Sequence, residues 1–395
     1  KYLGMSPFRC PSLFSILSFL EYEHGVWHPV GGCSAVVEAM ARMAERAGVE
    51  IRTGEPVTGL DFAGSRVTGA RTARGSYPAD AVVVNADFAR AMQRLVPDRL
   101  RRSWRDRKIA KARFSCSTFM LYLGLDRRYD ELPHHTIYVA RDYRRNLDEI
   151  ENRHVLSEDP SFYVQNACVT DPTLAPPGGS TLYVLLPVTH QHGNVDWSRE
   201  RARYRELALR QLDKLGLADV GRHVVYEKVL TPADWDQGYE VHLGATFNLA
   251  HDYRQMLHLR PRNRFADVPG MYLVGGGTHP GSGLPVIFES ARISSRLLLE
   301  ELGVTEPSRQ ELPAAAGPVA EVDEDDVAPG VDHLAGAPVG LERVGHGVAG
   351  PEAGPGGLGT AGTARGGLRG GLGHRVWLRG RVATTSRGPQ RVACY

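Results

Sequence analysis

Apolar residues recur every three or four positions at 13–20, 34–47 and 197–215, and this spacing predicts a helix in each stretch. The helix at 13–20 has little polar face, so it is predicted either to lie in the core or to form a lid or tunnel wall that faces lipid. In the helix at 34–47, the face predicted to be buried consists of Val36, Val37, Met40, Met43 and Ala44.

Short runs of β-branched and aromatic residues predict strands elsewhere in the chain. Between 49 and 87 they form a meander with a hairpin turn at Ala63, Gly64 and Ser65. The run at 81–84 is apolar throughout, which predicts a central strand covered on both faces. This mixture of elements predicts an α/β fold class with α+β elements. Further strands are predicted at 114–125, 136–140, 161–168, 180–187 and 224–230.

The stretch 271–298 has the order strand, glycine turn, helix, and it is the most informative part of the sequence. An apolar run at 271–274 is followed by three glycines at 275–277, and a second turn at 281–285 leads into the helix. Glycine has no Cβ, so the backbone here can come close to a bulky ligand. The unpaired N–H groups at the start of the helix suit an anion or an electron-rich carbonyl. A plain strand-to-helix connection fits the same pattern.

Composition and charge narrow the class of protein. The chain has 395 residues, of which 42% are hydrophobic, so it can form two domains and a full core. A formal net charge of +2 argues against a dedicated nucleic-acid binder. The first apolar stretch, at 11–20, is too short to cross a bilayer, so any membrane contact is predicted to be peripheral. The five cysteines lie far apart without a CxxC pair, which favours a reducing, cytoplasmic setting.

A strongly basic segment at 95–113 interleaves eight arginines and lysines with Leu100, Trp104 and Ile109. Such charge runs are usually solvated helix faces. A cationic helix that contains Trp can also rest on anionic lipid headgroups, and this is the alternative interpretation. His134 and His135, by contrast, would point to opposite faces of a strand, so no metal site is predicted there.

Several motifs together resemble the bacterial-type phytoene desaturases, the carotenoid desaturases of the flavin-dependent amine oxidase superfamily. The most specific is THPGSGLP at 278–285. The others occur in the order expected for that family: KYLGMSP at 1–7, WHPVGG at 27–32, YVQNACVTDPTLAPPGG at 163–179, TPADW at 231–235 and RPRN at 260–263.

The resemblance implies FAD as the cofactor. It places the backbone of Val57 at the adenine end, with Asn85 and Ala86 nearby, and the turns at 29–32 and 274–287 in one cleft beside the flavin. The FAD-binding residues that it implies are Gly31, Gly32, Val57, Asn85, Ala86, Gly275, Gly277, Thr278, His279, Leu284, Pro285 and Val286.

The resemblance also implies a two-domain FAD-dependent oxidoreductase with a mixed-sheet substrate domain. The family's βαβ unit with a GxGxxG motif has no match in this sequence, so the FAD domain is interpreted as incomplete and N-terminally truncated, and weak FAD binding is expected. The implied division is an apolar lid or channel segment at 1–27, FAD-binding segments at 28–113 and 263–304, and a substrate domain at 114–262.

Residues 305–395 are rich in Pro, Gly, Ala, Val and Arg, and they lack sustained periodicity. This composition predicts a low-complexity, disordered tail. The resemblance stops near Gly303, so the tail has no counterpart in the family, and readthrough or frame-shifted translation would account for it.

The reaction that the resemblance implies is desaturation of a carotenoid precursor, with hydride transfer to flavin N5 inside an apolar tunnel. The implied partners are a long apolar polyene and a membrane surface, while the oligomeric state stays open. No catalytic base is identified, because Glu289 at the start of a helix is better interpreted as a dipole partner. The alternatives are a carotenoid isomerase or another amine-oxidase-like flavoenzyme, and a non-catalytic carotenoid- or lipid-binding module.

Overall fold

The computed structural model describes residues 3–304, 341–343, 376–382 and 390–394. Its helices are α1 Ile16–His24, α2 Gly32–Arg46, α3 Phe88–Leu95, α4 Asp106–Lys111, α5 Tyr143–Asp148, α6 Trp197–Gln211, α7 Val220–His223, α8 Pro232–Gly238 and α9 Leu284–Leu302. Its strands are β1 Trp27–Pro29, β2 Glu50–Thr53, β3 Val57–Ala63, β4 Arg66–Thr72, β5 Gly75–Pro78, β6 Ala81–Val84, β7 Ser117–Leu125, β8 His135–Tyr138, β9 Phe162–Gln165, β10 Ser180–Val188, β11 Val224–Leu230, β12 Met271–Leu273, β13 Leu341–Arg343, β14 Val376–Val382 and β15 Gln390–Cys394.

The strand at 81–84, β6, is an interior strand of a five-stranded sheet with the order β12-β6-β15-β14-β2. Strand β6 is parallel to both of its neighbours, β12 and β15, whereas β14 is antiparallel to β15 and β2. Val82 and Val84 are buried, which confirms the sequence-based prediction of a covered central strand. Helix α9 packs on this sheet, since the Ser294 hydroxyl donates to the Leu273 carbonyl at 2.7 Å.

The meander predicted at 49–87 is also present. Strands β3, β4 and β5 form a separate three-stranded sheet, and the predicted turn at 63–65 joins β3 to β4 as an antiparallel hairpin. Val57 and Leu60 of β3 join Val84 of β6 and Phe88 of α3 in one buried cluster. This cluster is the core of the half that carries the 271–298 stretch.

A second five-stranded sheet, with the order β11-β7-β10-β9-β8, forms the core of the other half. Neighbouring strands in it are antiparallel, and all five strands were predicted from the sequence. Helix α6 covers one face, where Phe119 of β7 stacks on Trp197 and meets Tyr204 edge-on. The half is therefore an antiparallel sheet with a helix on one face, whereas the resemblance implied a mixed sheet there.

The prediction about the buried face of α2 is wrong. The predicted buried face of α2 is largely solvent-accessible, with Val37 66%, Met40 52% and Met43 68% exposed. No residue of α2 is buried, so within the described ranges the helix lacks a partner for its apolar stripe. Periodicity identifies an apolar face, but it does not identify what covers that face.

The basic segment at 95–113 does not form one helix, because residues 96–105, with a 3₁₀ helix at Asp98–Leu100, separate α3 from α4. Arg101 and Trp104 are 1% and 5% exposed, so neither side chain is available to a lipid surface. The Trp104 ring packs edge-on against Phe88, and the Lys108 ammonium lies over it at 3.9 Å. The alternative interpretation, a helix that rests on lipid headgroups through Trp104, is therefore not supported. Trp104 instead makes an aromatic contact inside the protein.

Within 305–395, where the sequence predicts disorder, the structure describes three short segments, the strands β13, β14 and β15. Strand β13 pairs with β1, and β14 and β15 pair with β2 and β6. Free backbone edges of these earlier strands accept the new ones, and Ala393 is buried in the core. The remaining tail residues lie outside the described part of the chain.

Candidate functional site

The carboxyl ends of β6 and β12 meet at one edge of the sheet. The strands are parallel, and the Val274 N–H donates to the Val84 carbonyl at 3.0 Å. The chains that leave them therefore start side by side, with Asn85 on one and Gly275 on the other. Gly275 has φ +99°, and a Cβ built there would lie 3.2 Å from the Asn85 Oδ1. Ligands of open α/β sheets bind at such an edge.

The glycine turn after β12 is packed on one side and open on the other. Thr278 is buried, and its N–H donates to the Gly275 carbonyl at 3.1 Å. Gly277 is tightly enclosed, because an added Cβ would lie 2.6 Å from both the Asn248 Oδ1 and the Phe88 Cβ. Within the described residues, no protein acceptor meets the N–H groups of Gly276 and Gly277. Both donors are unpaired within the described residues; Gly276 is half-buried and Gly277 is buried.

The first turn of α9 is the second set of available donors. Its N-cap, Gly283, has φ +117° and offers no side-chain hydrogen bond to the helix. Pro285 lies in the first turn, where its missing N–H costs nothing. Leu284 and Phe288 are 57% and 44% exposed beside this helix start. A bulky ligand with a polar edge could be placed against these residues.

Asn263 fastens the loop to α9, although sequence reasoning did not select it. Its Nδ2 lies 3.1 Å from the His279 carbonyl, 3.1 Å from the Ser290 carbonyl and 3.0 Å from the Ser294 Oγ. The side chain is buried, so this one amide ties the loop after the glycine turn to the helix that follows it. The RPRN motif was the only sequence signal for it.

Asp87 and Asn248 support the turn from behind. Asp87 is the N-cap of α3, where Oδ1 accepts from the Arg90 N–H at 2.9 Å, and Oδ2 accepts from Asn248 Nδ2 at 2.6 Å. Burial raises the pKa of the Asp87 carboxyl to about 6, and hydrogen bonds from backbone N–H groups oppose the shift. The same Asn248 lies against Gly277, so this pair connects the ends of both chains at the sheet edge.

His251 joins the loop to the first segment of the chain. Its Nε2 accepts from the Ser282 N–H at 3.1 Å, and Phe14 packs edge-on against the ring at 5.7 Å. Burial lowers the pKa of His251 to about 3, so the ring is neutral at physiological pH. Next to Phe14 is a cavity of about 360 Å³ lined mainly by Leu3, Met5, Pro7, Pro11, Phe14 and Leu17.

Some predicted site residues make no described contact with the carboxyl edge of the β6–β12 sheet. The Gly31 N–H donates to the Asp171 Oδ2 at 2.7 Å, and His28 approaches the same oxygen at 3.3 Å. Gly32 faces Leu174, and Val57 is buried at the start of β3. The roles assigned to Gly31, Gly32 and Val57, and the shared cleft, therefore stay predictions. Asn85 and Gly275 are the predicted pair that the structure places in proximity.

Glu289, near the start of α9, makes an ion pair with Arg292 at 2.7 Å, and hydrogen bonding to Arg292 lowers the pKa of its carboxyl. His134 and His135 belong to the region of His28, whose ring lies 5.0 Å from that of His134. Their rings do not point to opposite faces, as the sequence predicted, but lie with centroids 4.3 Å apart and bond to Thr170 and Tyr163, respectively. The open face at the sheet edge is thus lined by backbone donors and small residues. This arrangement fits the polar edge of a flavin.

Comparison with known proteins agrees with that fit. A family model described as flavin containing amine oxidoreductase matches residues 2–299. The chain is 45% identical over 303 residues to a 4,4'-diapophytoene desaturase (4,4'-diapolycopene-forming) from Methylomonas sp., covering 76% of this chain and 59% of that protein. It is also 45% identical over 307 residues to an all-trans-zeta-carotene desaturase from Myxococcus xanthus, covering 77% and 58%.

The chain spans about three fifths of the length of these curated relatives. Among solved structures, an oxidoreductase from Methanosarcina mazei aligns with a TM-score of 0.46 and 16% identity, over 67% of this chain and 55% of that one. The family match and the two sequence relatives confirm the resemblance noted from the motifs. The chain belongs to the flavin-containing amine oxidoreductases.

Proposed function

We propose that this protein takes part in the FAD-dependent desaturation of a carotenoid precursor, phytoene or a related polyene, in carotenoid biosynthesis. The observation that carries the proposal is the open glycine turn beside Asn85, where two backbone donors lack a protein acceptor at the carboxyl edge of the sheet. The names of the relatives, which are desaturases of such polyenes, support the substrate class.

The proposed cofactor contacts divide between three backbone segments. Gly275 lies against Asn85 at the sheet edge. We propose that Ala86 beside Asn85, and Gly277, Thr278 and His279 of the turn at 275–279, contact the cofactor at the same edge. The first turn of α9, with Leu284, Pro285 and Val286, adds the partial positive charge of a helix N-terminus. FAD bound there would accept a hydride from a substrate C–H bond.

The chain's own contribution to such a reaction is orientation and exclusion of water. A polyene has no charge or carbonyl to which the protein could hydrogen-bond, so its position depends on the shape of an apolar passage. The cavity beside Phe14 has six apolar residues in its lining, together with Cys10, Ser12, Ser15, Ser18 and Glu21. Phe14 connects it to the loop through His251, whose neutral ring adds no charge. We propose that this cavity is part of the substrate channel.

The protein's location is proposed to be cytoplasmic, with the protein resting on a membrane surface. In the described part of the chain, none of the helices has the length and apolar character needed to cross a bilayer. Helix α1 nevertheless exposes Ile16, Phe19 and Leu20 at 51%, 57% and 40%. These side chains lie near the proposed channel, where an apolar substrate would enter from lipid.

The test is turnover by the 395-residue protein supplied with excess FAD and with phytoene or diapophytoene in liposomes. FAD binding is measured first, from the quenching of flavin fluorescence. Desaturation should then lengthen the chromophore and remove two hydrogens per step, as read by absorption and mass spectrometry. An isomerase would change the spectrum at constant mass. Flavin-loaded protein that binds the polyene but leaves it unchanged would contradict the proposal and favour a binding module.

A further inference from the structure

Arg260 is a cation enclosed in the protein directly behind the glycine turn. It is 1% exposed, and burial lowers the pKa of its guanidinium to about 10, which leaves it charged at neutral pH. Its four hydrogen bonds all go to backbone carbonyl oxygens: Nε to Thr278 at 3.2 Å, Nη1 to Gln255 at 3.4 Å, and Nη2 to Leu249 at 3.1 Å and Gly276 at 2.7 Å.

A buried charge is expensive unless its hydrogen bonds are well made. Here the shortest of the four bonds goes to Gly276, within the proposed flavin turn, and another goes to Thr278 in the same turn. The guanidinium therefore donates to two carbonyls of the turn and to the carbonyls of Leu249 and Gln255, so it links the turn to these two segments. A neutral side chain of similar size could fill the space, but it could not bind four carbonyls.

The bond to Gly276 has a consequence for the next N–H. In a trans peptide the carbonyl and the N–H point in opposite directions, so the Gly276 carbonyl facing Arg260 turns the Gly277 N–H away from it. In the peptide between Thr278 and His279, whose carbonyl also bonds to Arg260, the N–H is already paired: the His279 N–H donates to the Pro261 carbonyl at 2.9 Å. The Gly277 N–H, in contrast, has no protein acceptor in the described residues.

We propose that Arg260 is a positioning residue that aims the Gly277 N–H at the flavin and strengthens it as a hydrogen-bond donor. A cation on the carbonyl of a peptide draws electron density from it and makes the N–H of that peptide a better donor. Gly277 fits this role because its position has no room for a side chain that could block the donor. The inference rests on the proposed function, since the acceptor is the bound flavin.

The experiment compares Arg260→Lys and Arg260→Met with Arg101→Lys. Arg101 is the matched control, because it is also 1% exposed and bonds to Trp104 and Asp106, not to the turn. Arg260→Lys keeps the positive charge but loses the planar guanidinium that donates to several carbonyls at once. We expect FAD to bind this variant about tenfold more weakly. Arg260→Met should weaken binding further and lower the reduction potential of the bound flavin. Arg101→Lys should leave both readouts at the wild-type value.

A second readout does not need flavin. Hydrogen exchange at the Thr278 and His279 amides, whose bonds hold the turn, should accelerate in the Arg260 variants and not in Arg101→Lys. Equal loss of thermal stability in all three variants, with flavin affinity and turn exchange unchanged, would show that Arg260 is only structural. If the wild-type protein bound no flavin, the proposed function would fail, and unchanged turn exchange in the same variants would separately reject the positioning role.

Discussion

Asn263 and Arg260 show how much of this site depends on single buried side chains. Both lie in the RPRN motif, and between them they bond to carbonyls of Gly276, Thr278 and His279. The motif was noticed in the sequence, but a polar residue in an irregular segment carries no periodicity that would mark it as buried. The glycines, in contrast, were predictable, because a turn that must approach a ligand selects for the absence of a Cβ.

Asp87 should make stability depend on pH in an unusual direction. Its pKa in the folded protein is raised to about 6 from 3.8, so the folded state binds the proton more tightly than the unfolded state. The stabilisation is therefore present in full below pH 3.8 and is lost as the pH rises towards 6. Asp87→Asn, which keeps an N-cap residue, should not show this loss.

The measurement is urea unfolding of the wild-type protein and Asp87→Asn at pH 4.5 and pH 7. Relative to the variant, the wild type should lose about 2 kcal/mol of unfolding free energy between the two values. Because both proteins contain the other groups that titrate in this range, the comparison cancels the contribution of those groups to the unfolding free energy. A difference that stays constant with pH would mean that the carboxyl titrates normally.

At the scale of elements, the strands were more predictable than the helix surfaces. The strand at 81–84 is flanked by turn residues and is apolar throughout, so its length and its central place both followed from the pattern. The buried face of α2 was misjudged because the partners of a face come from distant parts of the chain. In the 95–113 segment most of the basic side chains are exposed, as a solvated charge run would be, whereas Trp104 is buried in the cluster that contains Phe88 of α3.

Helix α1 is expected to contribute more to membrane binding than the basic segment does. Replacing Ile16, Phe19 and Leu20 with serine removes exposed apolar side chains without emptying the core, so liposome binding should fall while stability is kept. Glutamate at the exposed arginines Arg99, Arg102 and Arg107 serves as the comparison and should weaken binding to anionic liposomes less.

The measurement is co-sedimentation with neutral and anionic liposomes. If the serine variant binds as well as the wild type, α1 is not the lipid-facing element. Unchanged binding of the glutamate variant would in turn remove the docking role of the basic segment.

At the scale of the whole molecule, the sequence predicts weak flavin binding. The described site supplies donors at 275–279 and at the start of α9. The spacing GxGxxG occurs at 345–350, 354–359 and 357–362, but no Asp or Glu lies about 20 residues beyond any of them, so the full fingerprint that holds a pyrophosphate is not present. We therefore expect the purified 395-residue chain to carry less than one flavin per molecule. The ratio of flavin to protein absorbance measures this, and a stoichiometric yellow sample would contradict it.

Strands β14 and β15 lie between β6 and β2, so the middle of one sheet is built from residues 376–394. The strands on either side of this pair belong to the first part of the chain and are synthesised long before it. During synthesis they must keep open hydrogen-bonding edges until the pair has left the ribosome. The other sheet needs only residues 117–230, so it can form while translation continues. The flavin half is therefore expected to be the last part of the molecule to fold.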